Sequence, residues 1–324
     1  MEQLTRRAVL AGAAVSAAAA FASRHDAQAA APQAGRQTAG IYRFKIGSFE
    51  LTAIHDGIWM RPIDGTFVRN APYADVQKAL VDSFQPADRL PIPFTPLLVN
   101  TGAKLVLIDT GTAGQLAPTA GSLGANLAAA GIDPKTIDTI LISHFHPDHI
   151  NGIKTKDGEK VFPNAEIAVP APEWAYWMDD ARLGSTPDAA RPAFLNARRI
   201  FRDISSEVRR FEPGGEVAPG IMSIAAYGHT PGHTVFAVSS GEEQLLVLGD
   251  TTNNPYLFVR NPDWQAIIDI DGDMAAATRR RLLDRAAADR MLVQGYHFPF
   301  PAQGHIARAG RGYEFVPALW RPVL

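Results

Sequence analysis

Short runs of alternating apolar and polar residues dominate the chain, and period two marks strands. Ile41 to Ile54 alternates in this way and predicts a hairpin ending at the turn signal Asp56-Gly57. Leu97-Leu98-Val99, the turn Asn100-Thr101-Gly102 and Lys104 to Ile108 predict a second hairpin, closed by Asp109-Thr110-Gly111. Between them, Tyr73 to Phe84 reads as a short helix and Pro86 to Pro96 as a Pro-rich stretch. Leu123 to Ala130 is helical with Gly131 as its C-terminal cap, and Thr136 to Ile142 is a buried strand. Further on, Glu166 to Val169 is a strand and Pro192 to Phe211 holds a long helix. Ile221 to Ala226, Thr234 to Ser239 and Gln244 to Leu248 are strands. Asp273 to Asp289 is an amphipathic helix with Asp273 as N-cap, and Met291-Leu292-Val293 is a short strand. Mixed strands and helices predict a layered α/β domain with its site along one sheet edge. No linker interrupts the chain after residue 40.

The N-terminus follows a different logic. Thr5-Arg6-Arg7-Ala8-Val9-Leu10 is a twin-arginine start, Ala8 to Ala22 is an Ala-rich apolar stretch, and Ala27-Gln28-Ala29 offers a small-residue cleavage site. Residues 1–29 therefore read as an export signal, 30–40 as a flexible lead-in and 41–324 as one domain. The expected location is periplasmic or secreted. The apolar stretch is short for a span, so no stable membrane insertion is expected after processing.

Apolar residues make up 46% of the chain, which suits a sizeable core, and the net charge is −2. No basic block stands out, and Arg279-Arg280-Arg281 reads as a solvated helix face. Nucleic acid is excluded as a partner on that ground. Cysteine is absent, so neither disulfides nor thiolate ligands enter the picture.

The decisive chemistry lies in His144-Phe145-His146-Pro147-Asp148-His149, directly after the apolar run Thr139 to Ser143. Imidazole and carboxylate are ligands for zinc and similar divalent ions. On a strand, His144 and His146 would share a face. On a tight loop, Asp148 and His149 could turn toward a second point nearby. The segment can thus serve two adjacent metals. Three later segments add donors, each beside an apolar strand: Gly228-His229-Thr230-Pro231-Gly232-His233, then Asp250 after Leu245 to Gly249, then His297 after Met291 to Tyr296.

With Asp109-Thr110-Gly111, this ordered set resembles the metallo-β-lactamase superfamily over most of the mature chain. The resemblance implies an αβ/βα sandwich of two mixed β-sheets flanked by helices. It implies that His144, His146 and His233 bind one zinc, that Asp148, His149 and His297 bind the other, and that Asp250 bridges them. Asp109 would support the site from behind. His229 matches no usual ligand position and is expected to buttress its turn. His305 is a further supporting or structural candidate.

Two zincs about 3.5–4 Å apart bind a bridging hydroxide near neutral pH. The resemblance therefore implies hydroxide attack on a lactone or ester carbonyl or on an organophosphate triester, with Asp148 and Asp250 as catalytic carboxylates. The absence of cysteine excludes the branch with a Cys ligand. Flavodiiron proteins carry Glu where this chain has His146. Neither the extra domain of the RNA-processing branch nor the basic C-terminal region of glyoxalase II is visible.

Phe162-Pro163-Asn164-Ala165, Gly228 to Thr234, Phe298 to Ile306 and Gly312 to Pro317 look like the methyl parathion hydrolases and their lactonase relatives. That likeness implies a homodimer and an aromatic pocket including Trp177 and Phe194. Leu116 is an aliphatic departure from the pattern and removes one stacking partner for an aryl group. For Trp174, Tyr176 and Trp177, plain helix packing is the competing reading. An N-acyl-homoserine lactonase is one specific role. A mononuclear iron dioxygenase of the persulfide type shares much of the motif set. An inactive binding protein on the same fold is a third reading, against which the complete donor set argues.

Overall fold

The computed structural model describes residues 33–35 and 37–324. The export signal and its cleavage site lie outside the described residues. Residues 39–324 form one unit by their internal contacts.

Two seven-stranded sheets build the centre. The first contains β1 (Ile41–Ile46), β2 (Phe49–Ile54), β5 (Leu97–Asn100), β6 (Leu105–Ile108), β7 (Thr139–Leu141), β8 (Glu166–Pro170) and β9 (Arg209–Phe211), side by side in that order. Strands β1 to β6 pair antiparallel, whereas β6 to β9 run parallel. The second sheet runs β10 (Glu216–Ala218), β11 (Ile221–Ala225), β12 (Thr234–Ser240), β13 (Glu243–Val247), β14 (Leu292–Gln294), β15 (Gln303–Ala309) and β16 (Gly312–Pro317). Only β13 and β14 are parallel there.

Period two explains how the layers stack. In β6, Val106 and Ile108 join the core between the sheets, while Leu107 points to the opposite face. In β7 the same split separates Leu141 from Ile140. Strands covered on both faces read as continuous apolar runs, as these two do. Outside the first sheet, the helices Leu123–Ala129 and Arg191–Phe201 cover a core containing Leu127, Ile200 and Phe201. Outside the second, the helix Gly272–Ala288 contributes Leu282, Leu283 and Ala286. The result is helix, sheet, sheet, helix, the four-layer sandwich that the resemblance implied. Among the described residues no helix is long and apolar enough to cross a membrane.

Several local expectations change. The helix expected over Pro192 to Phe211 stops at Phe201, followed by a 3₁₀ turn at Arg202–Ile204 and then β9. Sheet pairing of Arg209 with Ala168 outweighs helix continuation there. The Pro-rich stretch contains β4 (Arg89–Phe94), which pairs with β3 (Gly57–Pro62) in a two-stranded sheet. With one partner only, each strand keeps an open side where prolines cost no ladder bond. The N-cap of the last helix is Asp271, whose side chain accepts from Met274 N at 2.9 Å, and not Asp273. Asp56 is a buried acceptor for Thr112 N, Thr112 Oγ1 and Leu123 N rather than an open turn residue.

Arg279 departs furthest from expectation. Its guanidinium is fully buried, while Arg280 and Arg281 remain at the surface. Helix geometry is the reason: Ala275, Arg279, Leu282, Leu283 and Ala286 share one buried face at spacings of three and four.

Candidate metal centre

Every predicted donor arrives from a strand end on one edge of the sandwich. β7 runs through Ile142 and Ser143 into His144. His146 then has extended backbone and caps a single helical turn, Pro147–Ile150, with Pro147 in the first turn where a missing N–H costs nothing. That turn swings Asp148 and His149 away from the line of His144 and His146. Asp250 follows β13 through Gly249, whose backbone is left-handed at φ +49°. A side chain on Gly249 would meet His233 Nε2 at 2.7 Å, so glycine is required there on two counts. His297 follows β14, and His233 precedes β12.

Two donor groups result. In the first, one side-chain donor atom each of His144, His146, His229 and Asp250 lie within 4.8 Å of one another. In the second, Asp148, His149 and His297 do the same. Asp250 faces both, with Oδ1 at 3.1 Å from His149 Nε2 and Oδ2 at 3.1 Å from His297 Nε2 and 3.3 Å from His229 Nε2.

The placement of the two histidines on the Gly228 turn differs from the implied one. His229 Nε2 enters the first group, 2.9 Å from His146 Nδ1. His233 Nδ1 donates to Ala226 O at 2.9 Å, and its Nε2 accepts from Asp250 N at 3.0 Å. His233 therefore borders the group, its ring 5.2 Å from that of His144, with both nitrogens engaged by backbone.

The donor set fits a divalent cation. His144 Nε2, His149 Nε2 and Asp250 Oδ1 are buried without a hydrogen-bond partner. Each such atom costs about 1–3 kcal/mol if left alone. Here they converge with further nitrogen and oxygen donors, the chemistry that zinc and its neighbours accept.

Electrostatics follow from crowding. Burial and then His149 hold His144 well below its ordinary value. Burial and then His229 push His146 and His233 down to about 3. Burial would also lower His149, but Asp250, Asp148 and Asp109 outweigh it and hold the imidazole well above its usual range. For His229, burial is overcome by hydrogen bonds to Asp250 and Asp269, which raise it to about 9. Asp250 goes well below the usual carboxylate range, because His297, His149 and His144 outweigh its burial.

Supporting contacts surround the donors. Asp109 Oδ2 sits 2.8 Å from His149 Nδ1, and the same carboxylate accepts from Ser143 N and Oγ. His305 is exposed on β15 and reaches Met291 O, so strand alternation turns it away from the centre. Trp177 and Phe194 are each 2% exposed and belong to the core behind the first sheet. Helix packing claims both rings, and only the edge of Trp177 approaches His146, at 6.1 Å between centroids. Leu116 is half-buried against the cluster that contains Phe94 and Tyr296, which touch His297 and His149.

A family model described as the Metallo-beta-lactamase superfamily matches residues 95–295. The chain belongs to that superfamily. Among solved structures, the dizinc quorum-quenching lactonase AidC, in complex with a product, superposes with TM-score 0.82 at 28% identity, covering 87% of this chain and 99% of that one. The hydrolase AbOPH of the beta lactamase superfamily also gives TM-score 0.82 at 28% identity, over 88% and 100%. A probable metallo-hydrolase of Mycobacterium bovis is 28% identical over 180 residues, 48% of this chain. The chain spans 55% of the length of that relative.

Within this superfamily member, sequence reasoning missed Glu173. Its fully buried carboxylate accepts from Phe145 N and Trp177 Nε1 through one oxygen and from Thr230 Oγ1 and Gly232 N through the other. It thereby ties the His144–His149 segment to the Gly228 turn. A side chain on Gly232 would meet Glu173 N at 2.1 Å, which explains the glycine. The available signal was Glu173 four residues before Trp177 on one helix face, a spacing that joins side chains.

Proposed function

We propose that this chain is a divalent-metal hydrolase that opens small, uncharged esters, with lactones as the leading class. The observation that carries this is Asp250, whose carboxylate touches both donor groups: Oδ1 lies 3.1 Å from His149 Nε2 and Oδ2 3.1 Å from His297 Nε2 in one, and Oδ2 lies 3.3 Å from His229 Nε2 in the other. Such an arrangement suits a pair of metals, with zinc as the leading candidate. A bound metal pair supplies an activated water near neutral pH and stabilises negative charge developing on the substrate oxygen.

The protein groups then have distinct tasks. Asp250 holds the two donor groups in register. Asp148 keeps a side-chain exposure of 15% against 3% for Asp250, so it alone among the two can exchange a proton with an incoming substrate. Half-buried Trp59, Leu116, Trp264 and Ile268 rim the cluster containing Phe94 and Tyr296 and offer apolar cover for an acyl or aryl group. The likeness to AidC supports the lactone reading, including an N-acyl-homoserine lactone as the specific substrate. Aryl esters and phosphotriesters fit the same chemistry and the methyl parathion hydrolase likeness.

The test is side-by-side hydrolysis of an acyl-homoserine lactone, an aryl ester and a phosphotriester by zinc-loaded protein, with metal analysis of protein as isolated. Chelator-sensitive lactone opening with two metals per chain is expected. One iron per chain with oxygen-dependent turnover would replace this reading by the dioxygenase one. Absence of turnover on all three would favour a binding protein. The proposal extends to export by the twin-arginine route, for which Arg6→Lys with Arg7→Lys should abolish periplasmic accumulation, and to a homodimer, for which sedimentation is the check.

A further inference from the structure

We infer that Arg279 and Asp269 are positioning residues that set His229 against the metal centre, a role resting on the hydrolase reading above. The chain of contacts is continuous and buried. His229 Nδ1–H donates to Asp269 Oδ1 at 2.8 Å. Asp269 Oδ2 accepts from Arg279 at 3.3 Å and from Ala266 N at 3.2 Å. Arg279 Nε donates to Thr251 O at 2.8 Å, and its Nη1 donates to Pro262 O at 2.9 Å and Trp264 O at 2.7 Å. The guanidinium also lies over the Phe258 ring, 5.1 Å from its centroid. Arg279 and Asp269 are both wholly buried.

A lone buried guanidinium would be strongly destabilising, so a surface arginine does not drift into this position. The fork is matched to three fixed backbone acceptors on two separate segments. One of them, Thr251, directly follows Asp250. Arg279 thus reaches the metal centre by two routes, through the Asp250–Thr251 backbone and through Asp269 to His229. Backbone contacts lock the second route, since Ile270 N donates to His229 O and Asp271 N to Gly228 O. Gly228 has φ +125°, and a side chain there would meet Ala275 N at 2.2 Å, so the helix carrying Arg279 presses directly on the His229 turn.

Once a cation takes the Nε2 side, the consequence is a fixed tautomer. With the proton held on Nδ1 by Asp269, the Nε2 nitrogen is the one presented to His146 Nδ1 and Asp250 Oδ2. Outer carboxylates that orient an imidazole in this way are worth roughly 10–100-fold in metal affinity. His233, by contrast, is oriented by a backbone carbonyl and needs no such relay.

The test measures metal affinity of the full mature chain by zinc competition against a chromophoric chelator, in wild type, Asp269→Asn and Arg279→Lys. Alongside it, long-range nitrogen–proton NMR reads the imidazole tautomers, with the His229 signals identified by their loss in His229→Gln. Asp269→Asn should fold, lower zinc affinity roughly 10-fold or more and shift or abolish the Nδ1–H signal. Arg279→Lys should give a smaller loss, because lysine cannot reproduce the fork. Unchanged affinity together with an unchanged tautomer in folded Asp269→Asn would overturn the inference. A wild-type His229 carrying its proton on Nε2 in the zinc-loaded protein would overturn it without any variant folding. Full zinc affinity with no hydrolysis would instead count against the hydrolase reading and leave the relay standing.

Discussion

Asp109 Oδ2 lies 2.8 Å from His149 Nδ1, and Asp109 itself holds a left-handed backbone at φ +58°. A non-glycine residue in that region is uncommon unless its surroundings over-determine it. Here the carboxylate is fixed by Ser143 N and Ser143 Oγ at 2.8 Å each, so it presents a pre-aimed acceptor to the imidazole. Asp109→Asn should lower affinity for one metal equivalent about 10–100-fold while activity recovers at excess metal. Chelator competition with parallel activity assays checks this; loss of activity at full metal occupancy would contradict it.

Glu173 carries a different burden. Asparagine or glutamine cannot satisfy four donors that all point at a carboxylate. Glu173→Gln should cost about 3 kcal/mol of stability, the order expected when buried hydrogen-bonded charge is disrupted. Urea denaturation of metal-free protein measures it, and a change under about 0.5 kcal/mol would show the four contacts to be incidental.

His229 makes the metal-free protein pH-dependent. Its folded value is raised to about 9 from an ordinary 6.5. Stabilisation from its protonated form is therefore fully present below about pH 6.5 and is lost as pH rises through about 9. Denaturation of metal-free protein between pH 6 and pH 10 should show stability falling across that window. His229→Gln should flatten the slope.

Metal uptake should release protons. His149 is held well above its ordinary value by Asp250, Asp148 and Asp109 in spite of burial, so a cation entering the second group displaces a proton. Apparent zinc affinity should rise as pH rises above the ordinary imidazole range, and calorimetry in buffers of different ionisation enthalpy should give a positive proton release. Buffer-independent heats at pH 7 would contradict it.

Asp250→Asn removes charge from the residue shared by both donor groups. Turnover on the best lactone should fall by roughly 100-fold or more, with metal content reduced toward one equivalent. Near-normal rates at full metal content would refute the bridging role.

Much of this was legible from local pattern. Four donors within six residues, placed after an apolar strand, identify a metal segment with no knowledge of the fold, because covalent spacing alone keeps them close. The unbroken apolar runs of β6 and β7 likewise announce strands buried on both faces. Asp148 and His149 diverge from His144 and His146 because Pro147 starts a helical turn, and that too is local.

Contacts between distant segments are another matter. His229 and His233 have the same residue type and stand four positions apart, yet His229 Nε2 enters the first donor group while His233 is engaged by Ala226 O and Asp250 N. Trp177 and Phe194 carry aromatic rings suited to a pocket, but packing of their helices against the first sheet buries them. Arg279 is indistinguishable by composition from Arg280 and Arg281, and only the acceptors of Thr251, Pro262, Trp264 and Asp269 around its guanidinium make burial tolerable. The sequence by itself determined the donor types, the strands that carry them and the layered architecture, since these rest on spacing and periodicity along the chain. Tertiary structure alone decided which nitrogen faces the centre and which charges are buried, because desolvation and hydrogen-bond matching depend on partners 10 to 80 or more positions away.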